Sequence, residues 1–186
     1  MADRGMLALA EQFRSQGMHV VRFNFLYREK RAGRPDAMPR LEECFSAVAL
    51  RARQEFRPER LIIGGRSMGG RAASMLAADG FPCDGLLLLA YPLHPAGQTE
   101  RLRDAHLARI KIPVLCVNGT RDALCRRDLM EKAVSGLSAL WKLHWLEGAD
   151  HGFHVTKASG RSDADVLKEI GDVSRTWEAA LARATT

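Results

Sequence analysis

The sequence predicts a three-layer α/β/α sandwich with a mostly parallel sheet, and three observations predict it. Helix-like and strand-like patterns alternate along all 186 residues, the order that builds parallel strands joined by helical crossovers. Two central segments, Gly85-Leu86-Leu87-Leu88-Leu89-Ala90-Tyr91 and Ile112-Pro113-Val114-Leu115-Cys116-Val117-Asn118, are apolar on both faces, as strands covered by helices on each side must be. The reactive polar residues fall just past strand ends, where open α/β sheets hold ligands. No repeat, low-complexity tract or linker divides the chain, so residues 1–186 read as one domain.

Each element has its own signal. Residues 3–16 carry Met6, Leu7, Leu9, Ala10 and Phe13 at helical spacing, with Gly17 as the stop. His19 to Phe25 reads as a strand. A basic loop, Arg28 to Arg34, follows, with Pro35 and Pro39 as breakers. Residues 40–55 are helical through Leu41, Cys44, Phe45, Val48 and Ala49. Leu61 to Gly64 is a short strand, and Met68 to Ala78 a helix of small residues able to pack closely on a sheet. After the two central strands come a helix over 126–140, a strand from Trp141 to Leu146 and a closing helix over 162–182.

Composition narrows the class. Apolar residues make up 46% of the chain and none of its runs has the length of a membrane span. The start, Met1-Ala2-Asp3-Arg4-Gly5, lacks the charged-then-apolar order of a signal peptide. Cys44, Cys83, Cys116 and Cys125 are scattered with no C-x-x-C pair, which reads as buried thiols in a reducing, cytoplasmic setting without a metal site. The net charge of +6 is spread through every helix and loop. Its densest cluster, Arg28 to Arg34, has few aromatics for base stacking, so nucleic acid is not the expected partner.

The chemistry centres on Leu61-Ile62-Ile63-Gly64-Gly65-Arg66-Ser67-Met68-Gly69-Gly70. This is a G-x-S-x-G nucleophile elbow, in which a strand turns sharply into a helix and lifts a serine hydroxyl clear. A serine at positive φ leaves little room beside it, which explains glycine at 65 and 69. The helix starting near Met68 aims its free N–H groups at any oxyanion on the substrate; Met68 N–H is the evident donor.

Serine needs a base, and the base an orienting acid, expected in the chain order Ser, Asp or Glu, His. Asp122 follows the strand ending at Asn118, and His151 follows the strand ending near Leu146. Ser67 is the nucleophile, His151 the base and then acid, and Asp122 the carboxylate fixing the imidazole tautomer. Rivals exist: His144 or His154 as base, Asp150 as acid, and Asp122 as a mere helix cap. Arg66, Tyr91 and His94 sit beside the elbow or leave the central strand, and are candidate substrate contacts.

With Gly65-Arg66-Ser67-Met68-Gly69-Gly70-Arg71, Tyr91-Pro92-Leu93-His94-Pro95, Gly119-Thr120-Arg121-Asp122 and Asp150-His151 in place, the chain resembles the α/β-hydrolase superfamily. More narrowly it is similar to the KANL/Tex-type α/β-hydrolase-like proteins, relatives of the dienelactone hydrolases, over essentially its whole length. The resemblance implies a Ser-Asp-His hydrolase that needs no cofactor. Ser67 stands where dienelactone hydrolases carry cysteine, so that activity itself is not implied. In the family a strand ending in a His-Gly turn precedes the first helix and supplies a second oxyanion N–H. No such turn precedes residue 17 here. The chain is therefore expected to be an N-terminally truncated α/β-hydrolase fold, a truncated or misassigned-start form with Met1 an internal methionine. The segments 19–25 and 61–64 are then expected to pair directly, or to leave an open slot whose exposed strand edge favours association.

The expected function is a serine hydrolase of a small ester, thioester or related acyl substrate. The alternative is a catalytically silent α/β-hydrolase-like domain used for binding or scaffolding. A nucleic-acid-binding domain, which would bind with steep salt dependence, is the third reading.

Overall fold

The computed structural model of the protein describes residues 3–137 and 140–183. Its centre is a four-stranded parallel sheet in the order β1 (Ile62–Arg66), β2 (Gly85–Leu89), β3 (Val114–Gly119) and β4 (Trp141–Leu146). Sequential strands are neighbours, and helices make the crossovers: α4 (Met68–Ala78) between β1 and β2, and α5 (Arg127–Ser135) between β3 and β4. Alternate strand residues feed two separate cores, which is why the central strands are apolar on both faces. Leu86, Leu88, Val114 and Cys116 point into a core shared with α3 (Met38–Phe56), α4 and α5. Leu89, Leu115 and Val117 point the other way, onto Leu9 of α1 (Arg4–Ser15) and Val166, Ile170 and Trp177 of α6 (Asp163–Arg183). This is the expected three-layer α/β/α sandwich.

Several boundaries move for physical reasons. Pro39 does not break the chain; it occupies the first turn of α3, where its missing N–H costs nothing. The strand expected over 61–64 runs two residues further, to Arg66, and so reaches the elbow. The helix expected over 126–140 ends at Ser135 with Gly136 as its C-cap, and residues 138–139 lie outside the described residues. A one-turn helix, α2 (Leu26–Glu29), opens the basic loop.

One expected element is not formed. Residues 19–25 carry no regular secondary structure and join no ladder, so the strand expected there is absent. An extended segment becomes a strand only when its backbone groups find a neighbouring strand. Here side chains hold it instead. Phe23 packs edge-on against Phe25 at 5.2 Å and against Phe45 of α3 at 5.1 Å, an aromatic staple to α3 in place of a backbone ladder. Among the described residues, β1 therefore pairs on one side only, with β2. The direct pairing of 19–25 with 61–64 does not occur. Among the described residues no helix is long and apolar enough to cross a membrane.

Candidate active site

The site forms where β1, β3 and β4 end on the same edge of the sheet. The chain leaves β1 at Arg66 and enters α4 at Met68, so Ser67 alone makes the turn, at φ 54° and ψ −118°. That conformation is strained for a residue with a Cβ. Two backbone bonds hold it there: Ser67 N–H donates to Leu89 O at 2.9 Å, and Arg71 N–H donates to Ser67 O at 3.0 Å. Ala90, at the end of β2, is also forced to a positive φ of 47°.

The glycines around the serine are required by close approach. A Cβ at Gly65 would lie 2.7 Å from Gly69 C, and one at Gly70 would lie 2.6 Å from Gly65 O. Gly69, expected to be needed for the same reason, has open space around its Cβ position. The steric demand thus falls on Gly65 and Gly70, the pair that lets α4 lie against β1.

His151, the candidate base, arrives on the loop after β4. Gly148 turns the chain at φ 72°, Phe153 is buried at φ 67°, and Ala149 bridges Val155. The Asp150 carboxylate closes this loop by accepting from Gly152 N–H at 2.8 Å and His154 N–H at 3.0 Å. Asp150 thereby braces the loop through both of these bonds. The acid loop after β3 fits against it: Arg121 N–H donates to Ala149 O at 2.9 Å, and a Cβ on Gly119 would lie 2.1 Å from that same oxygen. Gly119→Ala must push the two loops apart, so we expect a stability loss on the order of 3 kcal/mol, measured by denaturant unfolding, together with loss of any activity.

These elements bring Ser67, His151 and Asp122 together. His151 Nε2 is 2.9 Å from Ser67 Oγ, and His151 Nδ1 is 2.8 Å from Asp122 Oδ2. The Asp122 side chain is fully buried, whereas His151 keeps 28% of its side-chain surface open. The other Asp122 oxygen accepts from Leu124 N–H at 2.8 Å. The Asp122 carboxylate accepts from both sides, so Nδ1 carries the imidazole proton and Nε2 faces the serine as acceptor. The first turn of α4 lies directly beyond Ser67, with the Met68 amide at its tip.

The rival histidines are engaged elsewhere. His144 pairs with Glu169 at 2.7 Å. His154 pairs with Asp163 at 2.7 Å, and that hydrogen bond raises its pKa while lowering that of Asp163.

Two of the three expected substrate contacts are turned into the protein. Tyr91 is buried and its hydroxyl donates to Arg103 O at 2.7 Å. His94 is buried, with both ring nitrogens bonded to backbone. The reason is Asn118, whose amide pairs with both Tyr91 N–H and Tyr91 O at 3.2 Å and draws the segment after β2 down onto β3. Arg66 adjoins Ser67 in the chain, and its guanidinium lies against Gly5 at the start of α1.

A second serine–histidine pair went unread in the sequence because helical spacing marks Ser74 only as a core position. Ser74 Oγ lies 2.8 Å from His106 Nε2, but its own proton goes to Arg71 O at 2.8 Å, and both residues are buried. With no substrate access this is a structural pair. Burial, then Arg71 and Arg109, push the His106 pKa down to about 4. The unfolded imidazole, at about 6.5, takes up its proton first. The stability contribution is therefore present above that value and lost as pH falls toward 4. His106→Gln, which can still donate to Ser74, is expected to flatten the decline of Tm between about pH 6.5 and about pH 4 relative to the parent.

Comparison with known proteins agrees with this architecture. Residues 1–179 match the family described as alpha/beta hydrolase domain. Among solved structures, an alpha-beta serine hydrolase homologue from Coxiella burnetii superposes with TM-score 0.73 at 24% identity, over 92% of this chain and 76% of that one. A serine hydrolase without a lid from Xanthomonas campestris gives TM-score 0.74 at 24% identity, covering 95% and 75%. A dienelactone hydrolase from Anabaena variabilis gives 0.70 at 17% identity, covering 95% and 78%. At these identities the likeness is one of fold.

Proposed function

Since the chain belongs to the alpha/beta hydrolase family, we propose that it hydrolyses a small ester, thioester or related acyl substrate through an acyl-enzyme on Ser67. The observation that carries this reading is the continuous line from Asp122 Oδ2 through His151 to Ser67 Oγ, with steps of 2.8 and 2.9 Å. His151 Nε2 takes the Ser67 proton as Oγ attacks the substrate carbonyl. The tetrahedral oxyanion forms at the N-terminal end of α4, where Met68 N–H and the helix dipole favour negative charge. His151 then gives the proton to the departing alcohol or thiol. Water, activated by the same Nε2, releases the acid and restores Ser67. Arg66 is the side chain proposed to touch substrate beside the nucleophile.

Stopped-flow hydrolysis of p-nitrophenyl acetate tests the covalent step. An initial burst of p-nitrophenol near one equivalent per protein supports acylation followed by slower deacylation. Strictly linear release at a rate equal to buffer would instead support the alternative, a silent binding domain. That alternative draws on one feature only: among the described residues a single evident oxyanion donor, Met68 N–H, where loss of one such donor costs about 10²–10³ in turnover.

A further inference from the structure

We propose that His94 is a positioning residue for the catalytic acid: its ring serves as a backbone acceptor that fixes the loop presenting Asp122 to His151. The inference rests on the hydrolase reading of Ser67, His151 and Asp122 given above. His94 is only 1% exposed, so it takes no part in substrate contact. Its backbone N–H donates to Leu124 O at 3.0 Å, and its Nε2 accepts from Arg126 N–H at 3.1 Å. The two bonds grip the acid loop on either side of Cys125, in the manner of a strand pairing in which a side-chain nitrogen replaces a carbonyl.

The ring's protonation state follows from its partners. A backbone N–H can only donate, so Nε2 is bare. Pro95 O can only accept, so Nδ1, 3.0 Å away, carries the proton. Both nitrogens are thus committed and the imidazole is neutral.

The grip reaches Asp122 through one residue. Leu124 is held at its carbonyl by the His94 backbone N–H and at its own N–H by Asp122 Oδ1 at 2.8 Å, and the ring adds the hold on Arg126 two residues on, the part that a substitution at 94 removes. A shift of Leu124 is therefore a shift of the carboxylate. The anchor behind His94 is rigid: Asn118 pins both backbone groups of Tyr91 to β3, and Pro92 and Pro95 remove freedom between and after them. The end of β2 thereby sets the position of the acid delivered by β3. Few side chains can substitute. Gln places an amide oxygen near the Nε2 position, whereas Asn reaches only as far as Nδ1.

The test compares His94→Gln, His94→Asn and His94→Leu in the full chain. It uses kcat and KM on p-nitrophenyl acetate and amide hydrogen exchange at Leu124. His94→Gln is expected to stay close to the parent in both readouts. His94→Asn and His94→Leu are expected to lose about 10- to 100-fold in kcat, the cost of a catalytic group displaced by about 1 Å, with KM unchanged and Leu124 exchange accelerated. Should His94→Leu not fold, the Asn–Gln pair decides. Parent-like turnover and Leu124 protection in His94→Asn would overturn the inference. If the parent itself turns over no ester, the hydrolase reading fails separately, and Leu124 exchange in the Asn and Gln variants still decides whether His94 holds the acid loop.

Discussion

Ser67→Ala is expected to reduce ester hydrolysis by roughly 10⁵–10⁶, while leaving Tm nearly unchanged. The magnitude follows from the acyl-enzyme route, which has no substitute for Oγ. His151 Nε2 would then face a methyl group, and water would have to attack without the positioned nucleophile. Stability should hold: alanine tolerates φ 54° no worse than serine, and the hydroxyl's bond is to a half-open imidazole. The assay is kcat/KM on a p-nitrophenyl ester alongside a thermal melt. A variant that keeps its activity places the nucleophile elsewhere.

Asp122→Asn should cost about 10⁴ in kcat with little change in KM. Asparagine fills the same buried volume and can keep its carbonyl oxygen on Leu124 N–H, so the loop stays put. Its NH₂ then faces His151 Nδ1, which must become the acceptor. The proton moves to Nε2, and the base can no longer take one from Ser67. Because the defect is one of tautomer, KM should be spared. A loss below tenfold would mean that Asp122 serves chiefly as a loop brace, the capping role weighed for it from sequence.

The parts of this fold legible in the sequence are those set by local pattern. The two-faced apolar strands β2 and β3, the elbow at Ser67 and the order Ser67, Asp122, His151 all follow from spacing and residue type. What escaped is what depends on neighbours distant in sequence. Residues 19–25 have a strand's composition, but a ladder needs a partner, and Phe45 takes their side chains instead. Tyr91 and His94 follow a strand end, the position of a ligand contact, yet Asn118 of the next strand pins the Tyr91 backbone and the loop after that strand holds His94 inward. The glycine requirement moved from Gly69 to Gly70 because it is set by how α4 lies on β1, not by the motif's symmetry. Asp150 is already the weaker acid in the sequence, because it adjoins His151 and neighbouring side chains seldom face each other; what the sequence did not show is that it braces the loop through Gly152 and His154 N–H.

The central claim is that Ser67 is an activated nucleophile, and covalent labelling tests it most directly. Folded protein treated with a fluorophosphonate probe should gain one phosphonate, assigned to Ser67 by peptide mass spectrometry. The gain should vanish in Ser67→Ala and slow sharply in Asp122→Asn. A folded parent protein that gains no label, or that carries it on another residue, would contradict the account.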